Sequence, residues 1–279
     1  MPTLQDYRQR PHWSYSAINQ FLNICSLQFA FDRVYRLHKA FTPVSLAFGS
    51  AFHRTMEWLH TEHMEGRTPP QGTSAERFRD CWSRQIADTP DLRLDDDMTP
   101  EDYAEQGASL CEAMAAQVNP DEEILGVSEA FAVPMVDSSG NVLERPLVGE
   151  FDMRVRKDGQ PLIIDWKTSA RRWPKGQADK SLQPTAYGYA HIQIFGESAD
   201  TRFDVAVKNK TPVIEQHPTS RDADQHDRMV TLVSRIEDMV RAEHFLPNES
   251  SFYCAGCPHQ TACKSWHREQ ARVTLRLAA

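Results

Sequence analysis

The stretch GEFDMRVRKDGQPLIIDWKTSARRWPKGQADKSLQPTAY, residues 149–187, holds two apolar runs that meet at a two-residue turn signal. In the first run Phe151, Met153 and Val155 alternate with Asp152, Arg154 and Arg156. That period of two marks a strand with unlike faces. Asp158-Gly159 is a hairpin signal, because glycine supplies positive φ. The second run, Leu162-Ile163-Ile164, ends in Asp165-Trp166-Lys167. Its period places Asp165 and Lys167 on one face and Trp166 on the other. If the strands pair, Asp152 lies near Asp165. Two carboxylates at the end of a buried strand repel, and a divalent cation between them relieves that repulsion. Carboxylate oxygens suit Mg²⁺ or Mn²⁺. A lysine beside such an ion can orient a water and help deprotonate it, or stabilise charge building on a phosphate. The same residues also read as strand-end aspartates with a solvated lysine.

Working outward, Arg171, Arg172, Lys175 and Lys180 form a basic loop, where a nucleic-acid backbone would need positive charge. A helix follows from Leu182 to Phe195, with Ser181 as N-cap and Pro184 in its first turn. Gln183 and Tyr187 are four apart and share a face. A candidate strand at Ile124–Val136 precedes Leu143–Val155, which is the first arm of the central hairpin. A second hairpin follows at Arg202–Lys208 and Val213–His217. Ser220 is placed to cap a long helix reaching Glu243, with Met229, Val233 and Ile236 inward. The fold expected is α/β: a mixed, mostly antiparallel sheet of about five strands flanked by helices.

Toward the N-terminus, residues 14–36 read as one helix, with Ile18, Phe21, Leu22, Cys25 and Phe29 on its apolar face. Residues 48–64 read as another, with Phe52, Thr55, Met56 and Leu59 inward. Gly49 and His53 share a face of that helix, the small residue leaving room beside the imidazole. Residues 65–74 are a Pro- and Gly-rich loop. Helices over 75–88 and from Thr99-Pro100 onward fill the region to 120, with Thr99 as N-cap. The whole chain, 1–279, reads as a single domain, with 65–120 as a helical insertion.

The net charge is −8 from 31 basic and 39 acidic residues, which excludes a protein coated in basic charge. No apolar run approaches the ~18 residues of a membrane span. The polar start, MPTLQDYRQRPHW, has no h-region, so a cytoplasmic protein is expected and no membrane partner. Six cysteines in such a chain favour metal or cluster binding over disulfides. Cys254, Cys257 and Cys263 fall within FYCAGCPHQTACKSWH, residues 252–267. Three thiolates leave a four-coordinate centre one ligand short. Cys25 could complete it, or, with zinc, His259 or His267. Cys81 and Cys111 read as core residues.

Gly149 and Asp152, then IIDWKTS with Asp165 and Lys167, then Gln183 and Tyr187 resemble the core of the PD-(D/E)XK superfamily, in its RecB-like branch. The resemblance implies a restriction-endonuclease-like fold and metal-dependent hydrolysis of DNA, most often exonucleolytic. It implies that Asp152, Asp165, the Trp166 carbonyl and His53 bind the catalytic metal, and that Lys167 acts on the water. It brings Gln183 and Tyr187 to the phosphate or the water. The cysteines, with SYSAINQFLNICSLQFAFDRVYR around Cys25, resemble the iron–sulfur subclass, which includes AddB-type nucleases and CRISPR-associated RecB-like exonucleases. There the resemblance implies a [4Fe–4S] cluster on Cys25, Cys254, Cys257 and Cys263, capping the fold over 245–267. It also implies a separate helicase, recombination or CRISPR-adaptation protein as partner. The other reading is a non-catalytic iron–sulfur or zinc protein that holds DNA as a scaffold.

Overall fold

The structure is a computed structural model that describes residues 2–277, with side chains described through 269. Five strands build the main sheet: β1 (Glu123–Val133), β2 (Leu147–Lys157), β3 (Gln160–Ser169), β4 (Asp200–Val207) and β5 (Val213–Thr219). They lie in the order β1-β2-β3-β4-β5, antiparallel except for the parallel pair β3 and β4. The turn between β2 and β3 holds Asp158 at φ 50° and Gly159 at φ 77°. Both central residues have positive φ, the geometry whose twist matches paired strands.

Six longer helices flank the sheet: α1 (Val44–Met64), α2 (Thr73–Ala87), α3 (Pro100–Ala115), α4 (Gln183–Phe195), α5 (Ala223–Arg241) and α6 (Gln260–Leu277). Helix α4 carries the chain from β3 back to β4, the crossover that a parallel pair requires. One sheet face presents Met153, Val155, Ile164 and Trp166 to Phe48, Phe52 and Met56 of α1 and to Phe78, Trp82 and Leu110 of α2 and α3. The other presents Phe131, Phe151 and Ile163 to Tyr187 and Tyr189 of α4, to Met229, Val233 and Ile236 of α5, and to the N-terminal segment; Phe151 thus lies opposite Met153 and Val155, and the alternation expected from the sequence breaks at Asp152. The sheet is thus apolar on both faces, and each charged residue on it needs a local partner. Arg154 has one, donating two bonds to Glu129 at 2.6 and 3.0 Å.

Several boundaries differ from expectation. Residues 14–36 are not one helix but short α-helical and wider π turns, interrupted at Cys25. Cys25 is extended, at φ −171°, and its Sγ accepts the Gln28 N–H, capping the next turn. The sulfur takes the role expected of a serine N-cap, which apolar periodicity does not reveal. The cap of α5 is Asp222, in a capping box with Gln225, not Ser220. Leu182 is the residue before α4, while Ser181 Oγ accepts the Gln183 N–H. Thr99 caps α3 as expected, in a box with Asp102.

Candidate active site

Asp152 and Asp165 stand on adjacent strands at the rung just past Met153–Ile164, where the β2–β3 ladder ends. Asp152 Oδ2 takes over there, accepting the Trp166 backbone N–H at 2.9 Å. The same oxygen lies 3.2 Å from His53 Nδ1, delivered by α1. Asp165 is fully buried, at 0 % exposure. Its Oδ1 accepts Gln183 Nε2 at 2.6 Å and the Tyr187 hydroxyl at 2.9 Å. Gln183 also donates to the Tyr187 oxygen at 2.9 Å. Asp165 Oδ2 is held by the Lys167 ammonium, whose Nζ lies 2.5 Å away, and has no other partner among the described residues. One turn of helix and one strand end therefore meet at a single carboxylate.

The charges respond to this crowding. Burial pushes Asp165 up, Lys167 pulls it back, and Asp152 adds to the rise, leaving it above the usual carboxylate range. Burial pushes Asp152 up as well, but His53, Lys167 and the Trp166 N–H outweigh it and hold Asp152 low. His53 loses charge to burial and regains more from Asp152, so its pKa is raised. Burial lowers Lys167 while Asp165 and Asp152 raise it further, so the ammonium is held. Burial and Asp165 keep the Tyr187 phenol protonated, as a donor must be. Sequence reasoning passed over Glu150. Its carboxyl is raised by burial, then by Asp152 and Glu57. Period two puts it on the face of Asp152, so the signal was present.

Cys25, Cys254, Cys257 and Cys263 line one cavity of about 390 Å³. The Cys263 thiol is pushed up by burial and then by all three other cysteines. Cys25 Sγ accepts the Gln28 and Asn248 N–H groups, each at 3.4 Å. Cys257 Sγ accepts Gln28 Nε2 at 3.2 Å and the His259 N–H at 3.5 Å. The His259 ring points elsewhere, with Nε2 2.6 Å from Asp32. His259 does not line the cavity, whereas His267 does. Cys81 and Cys111 are buried in the core, as expected.

Of the basic loop, Arg172 pairs with Glu215 at 3.4 Å, and the Arg171 carbonyl accepts the Ser169 hydroxyl at 2.6 Å. Lys175 and Lys180 are exposed and form no ion pair among the described residues.

A family model for the PD-(D/E)XK nuclease superfamily matches residues 12–264. The chain belongs to the PD-(D/E)XK nuclease superfamily. A crystal structure of a candidate exonuclease from Eubacterium rectale is similar in fold, with a TM-score of 0.51 at 12% identity, covering 92% of this chain and 93% of that one. The crystal structure of SSO0001 aligns at a TM-score of 0.37 and 13% identity, covering 82% and 87% of the two chains. No curated protein matches the sequence. The mixed five-stranded sheet with flanking helices is the restriction-endonuclease-like fold of this superfamily.

PD-(D/E)XK nucleases generally use Mg²⁺ or Mn²⁺, and the donors here suit that ion. They are hard oxygens, and one of them, Asp165 Oδ2, is buried with the Lys167 ammonium as its one partner among the described residues. Among the described residues, no three His, Cys, Asp or Glu side chains converge at the spacing of a single metal ion. Mg²⁺ sites commonly take one or two carboxylates and fill the rest with waters and substrate phosphate, so two aspartates suffice.

Proposed function

We propose that this PD-(D/E)XK protein is a Mg²⁺- or Mn²⁺-dependent deoxyribonuclease that acts as an exonuclease on single-stranded DNA or DNA ends. The observation that carries the reading is the pair Asp152 and Asp165 at the open end of the β2–β3 ladder, with the Lys167 ammonium on Asp165 Oδ2. The ion would be held by Asp152, Asp165 and the Trp166 carbonyl, with His53 as a further ligand. When bound it supplies Lewis-acid stabilisation of the phosphoryl oxygens. Lys167, kept charged, orients the attacking water and stabilises the negative charge that builds on the phosphate. Gln183 and Tyr187 direct their donors at Asp165 Oδ1, so they act as positioning residues that leave the other oxygen for the ion.

Cys25, Cys254, Cys257 and Cys263 would carry a [4Fe–4S] cluster in the cap over 245–267. The support is their shared cavity and the N–H groups on two of the sulfurs. Residues 65–120 would be a helical insertion within one nuclease domain, and Lys175 and Lys180 would meet the DNA backbone. A cytoplasmic setting and a helicase, recombination or CRISPR-adaptation partner complete the reading. No described helix is long and apolar enough to cross a membrane.

The test is cleavage of labelled single-stranded DNA by purified protein with and without Mn²⁺, beside Asp165→Ala. Metal-dependent cleavage lost in a folded Asp165→Ala protein is expected. Activity that survives the substitution would overturn the site. A wild-type protein that binds DNA and never cuts it would instead favour the scaffold reading.

A further inference from the structure

The N-terminal segment and the turn after Phe29 enclose a cavity of about 420 Å³ lined by Arg8, Arg10, Arg33, Arg36 and Arg145. Five guanidinium groups share this one recess in a chain of net charge −8. None of the five forms an ion pair among the described residues. The acidic lining residue, Asp32, is already engaged by Gln20 Nε2 and His259 Nε2, each at 2.6 Å, and by Lys39 at 3.2 Å. Arg145 lies over the Trp13 ring, 5.7 Å from its centroid, and its buried Nε has no acceptor. Burial lowers Arg33, the Asp32 charge raises it, and the Arg8 charge lowers it again. Five like charges beside the one carboxylate of Asp32 leave a surplus of positive charge that a bound anion would offset.

Arg36 adds an independent observation. It sits at φ 50°, in the left-handed region that favours glycine. The fold therefore holds an arginine in strained backbone at the rim of the recess. Strain of this kind persists where surrounding structure maintains it, often at a binding site.

The recess is fixed to the strand of the carboxylates. Trp13 N donates to the Pro146 carbonyl at 2.8 Å, and Val148 N donates to the Trp13 carbonyl at 2.7 Å. These bonds seat Trp13 beside Leu147, at the start of β2. Asp152 is five residues farther along that strand, roughly 17 Å at the rise of an extended chain. The Arg8 charge lowers Glu150 on the same strand. A single strand leaving the carboxylates along β2 would reach the arginines within a few nucleotides.

The structure assigns this recess as a second contact with the substrate strand: Arg8, Arg10, Arg33, Arg36 and Arg145 bind backbone phosphates of single-stranded DNA a few nucleotides from the Asp152–Asp165 centre. The inference rests on the nuclease reading for its substrate. Phosphate fits better than a base, because Trp13 is 1 % exposed and its ring offers no stacking face.

The experiment measures anisotropy of a labelled single-stranded oligonucleotide in EDTA, where nothing is cut. It compares wild type with Arg10→Glu/Arg36→Glu between about 50 and 200 mM salt. The double variant should bind roughly tenfold or more weakly, and its salt slope should fall by about 1.4, for two lost single-strand phosphate contacts. Hydrolysis of bis(p-nitrophenyl) phosphate with Mn²⁺, a diester too small to reach the recess, should be unchanged. DNA affinity equal to wild type overturns the inference. Arg36→Gly guards against a folding artefact, because glycine relieves the positive φ. It should melt no lower than wild type and still bind DNA more weakly; undiminished binding overturns the inference as well. If wild type fails to hydrolyse the small diester, the nuclease reading falls, and the oligonucleotide comparison still decides whether the arginines bind DNA.

Discussion

The Tyr187 hydroxyl and Asp165 Oδ1 are joined by a hydrogen bond of 2.9 Å inside the protein, with Gln183 Nε2 on the same oxygen. The bond fixes which carboxylate oxygen remains for other partners. Tyr187→Phe deletes one donor and keeps the ring against Phe151. Metal-dependent cleavage should drop by roughly 10- to 100-fold, as it does when the outer partner of a metal ligand is lost. The melting temperature should move little. Titrating activity against Mn²⁺ checks the cause, since a loosened carboxylate needs more metal for half-maximal rate.

Gly149 pairs with Phe131 across β1 and β2, and a Cβ there would stand 2.5 Å from the end of the Phe131 ring. Phe131 is itself packed on Phe151, with ring centroids 4.6 Å apart. Gly149→Ala should therefore destabilise the fold by about 1–3 kcal/mol through overpacking. Thermal unfolding would show this as a fall of several degrees. A variant as stable as wild type would mean that the ring moves freely and that the glycine has another role.

His191 is buried, and its Nδ1 donates to the Glu197 carbonyl at 2.9 Å, which leaves Nε2 bare. That nitrogen has no partner among the described residues. Burial holds the pKa below the ordinary histidine value, against the pull of the carbonyl. Below about pH 6.5 the unfolded chain takes a proton that the folded chain refuses. Stability should decline as the pH falls through that value and recover above it. Urea midpoints recorded from pH 7.5 down to about 5.5 should fall more steeply for wild type than for His191→Gln.

Gln28 Nε2 donates to Cys257 Sγ across 229 residues of sequence. Anaerobically purified protein should show a broad band near ~400 nm with iron and sulfide, and Cys25→Ala should lose it. Gln28→Leu should keep the band and lower the cluster's reduction potential, because N–H bonds to the sulfurs ease reduction. A colourless wild-type protein containing one zinc would remove Cys25 from the site.

The sheet was legible because its signals are local. Asp158-Gly159 could make only a tight turn between two apolar runs, and the turn set the register that brings Asp152 beside Asp165. What was not legible depends on partners far away in sequence. Cys25 reads as an apolar-face residue until Gln28 and Asn248 are seen on its sulfur, and then the helix must break there. Gln183 and Tyr187 could be placed on one face from their spacing, yet nothing local said that the face meets Asp165. The arginines of the recess come from three separate segments, residues 8–10, 33–36 and 145, so no sequence window holds them together. The neighbouring run Arg171, Arg172, Lys175 and Lys180 looked basic, but Glu215 on another strand already answers Arg172.

The break at Cys25 also sets a timetable for synthesis. Leu246 N donates to Ser26 Oγ at 2.8 Å, and Leu27 N donates to the Leu246 carbonyl at 3.2 Å. Ser26 must wait for a residue 220 positions later. At ribosomal speeds of about 5–20 residues per second, that delay is roughly 11–44 s. Throughout it Phe21, whose ring packs on Phe245, lacks its cover. A growing chain of this protein therefore carries an open apolar edge until residues 245 and 246 have been made. Slower decoding of the 245–263 codons would lengthen the period in which a chaperone, rather than the protein's own C-terminal cap, must cover that edge.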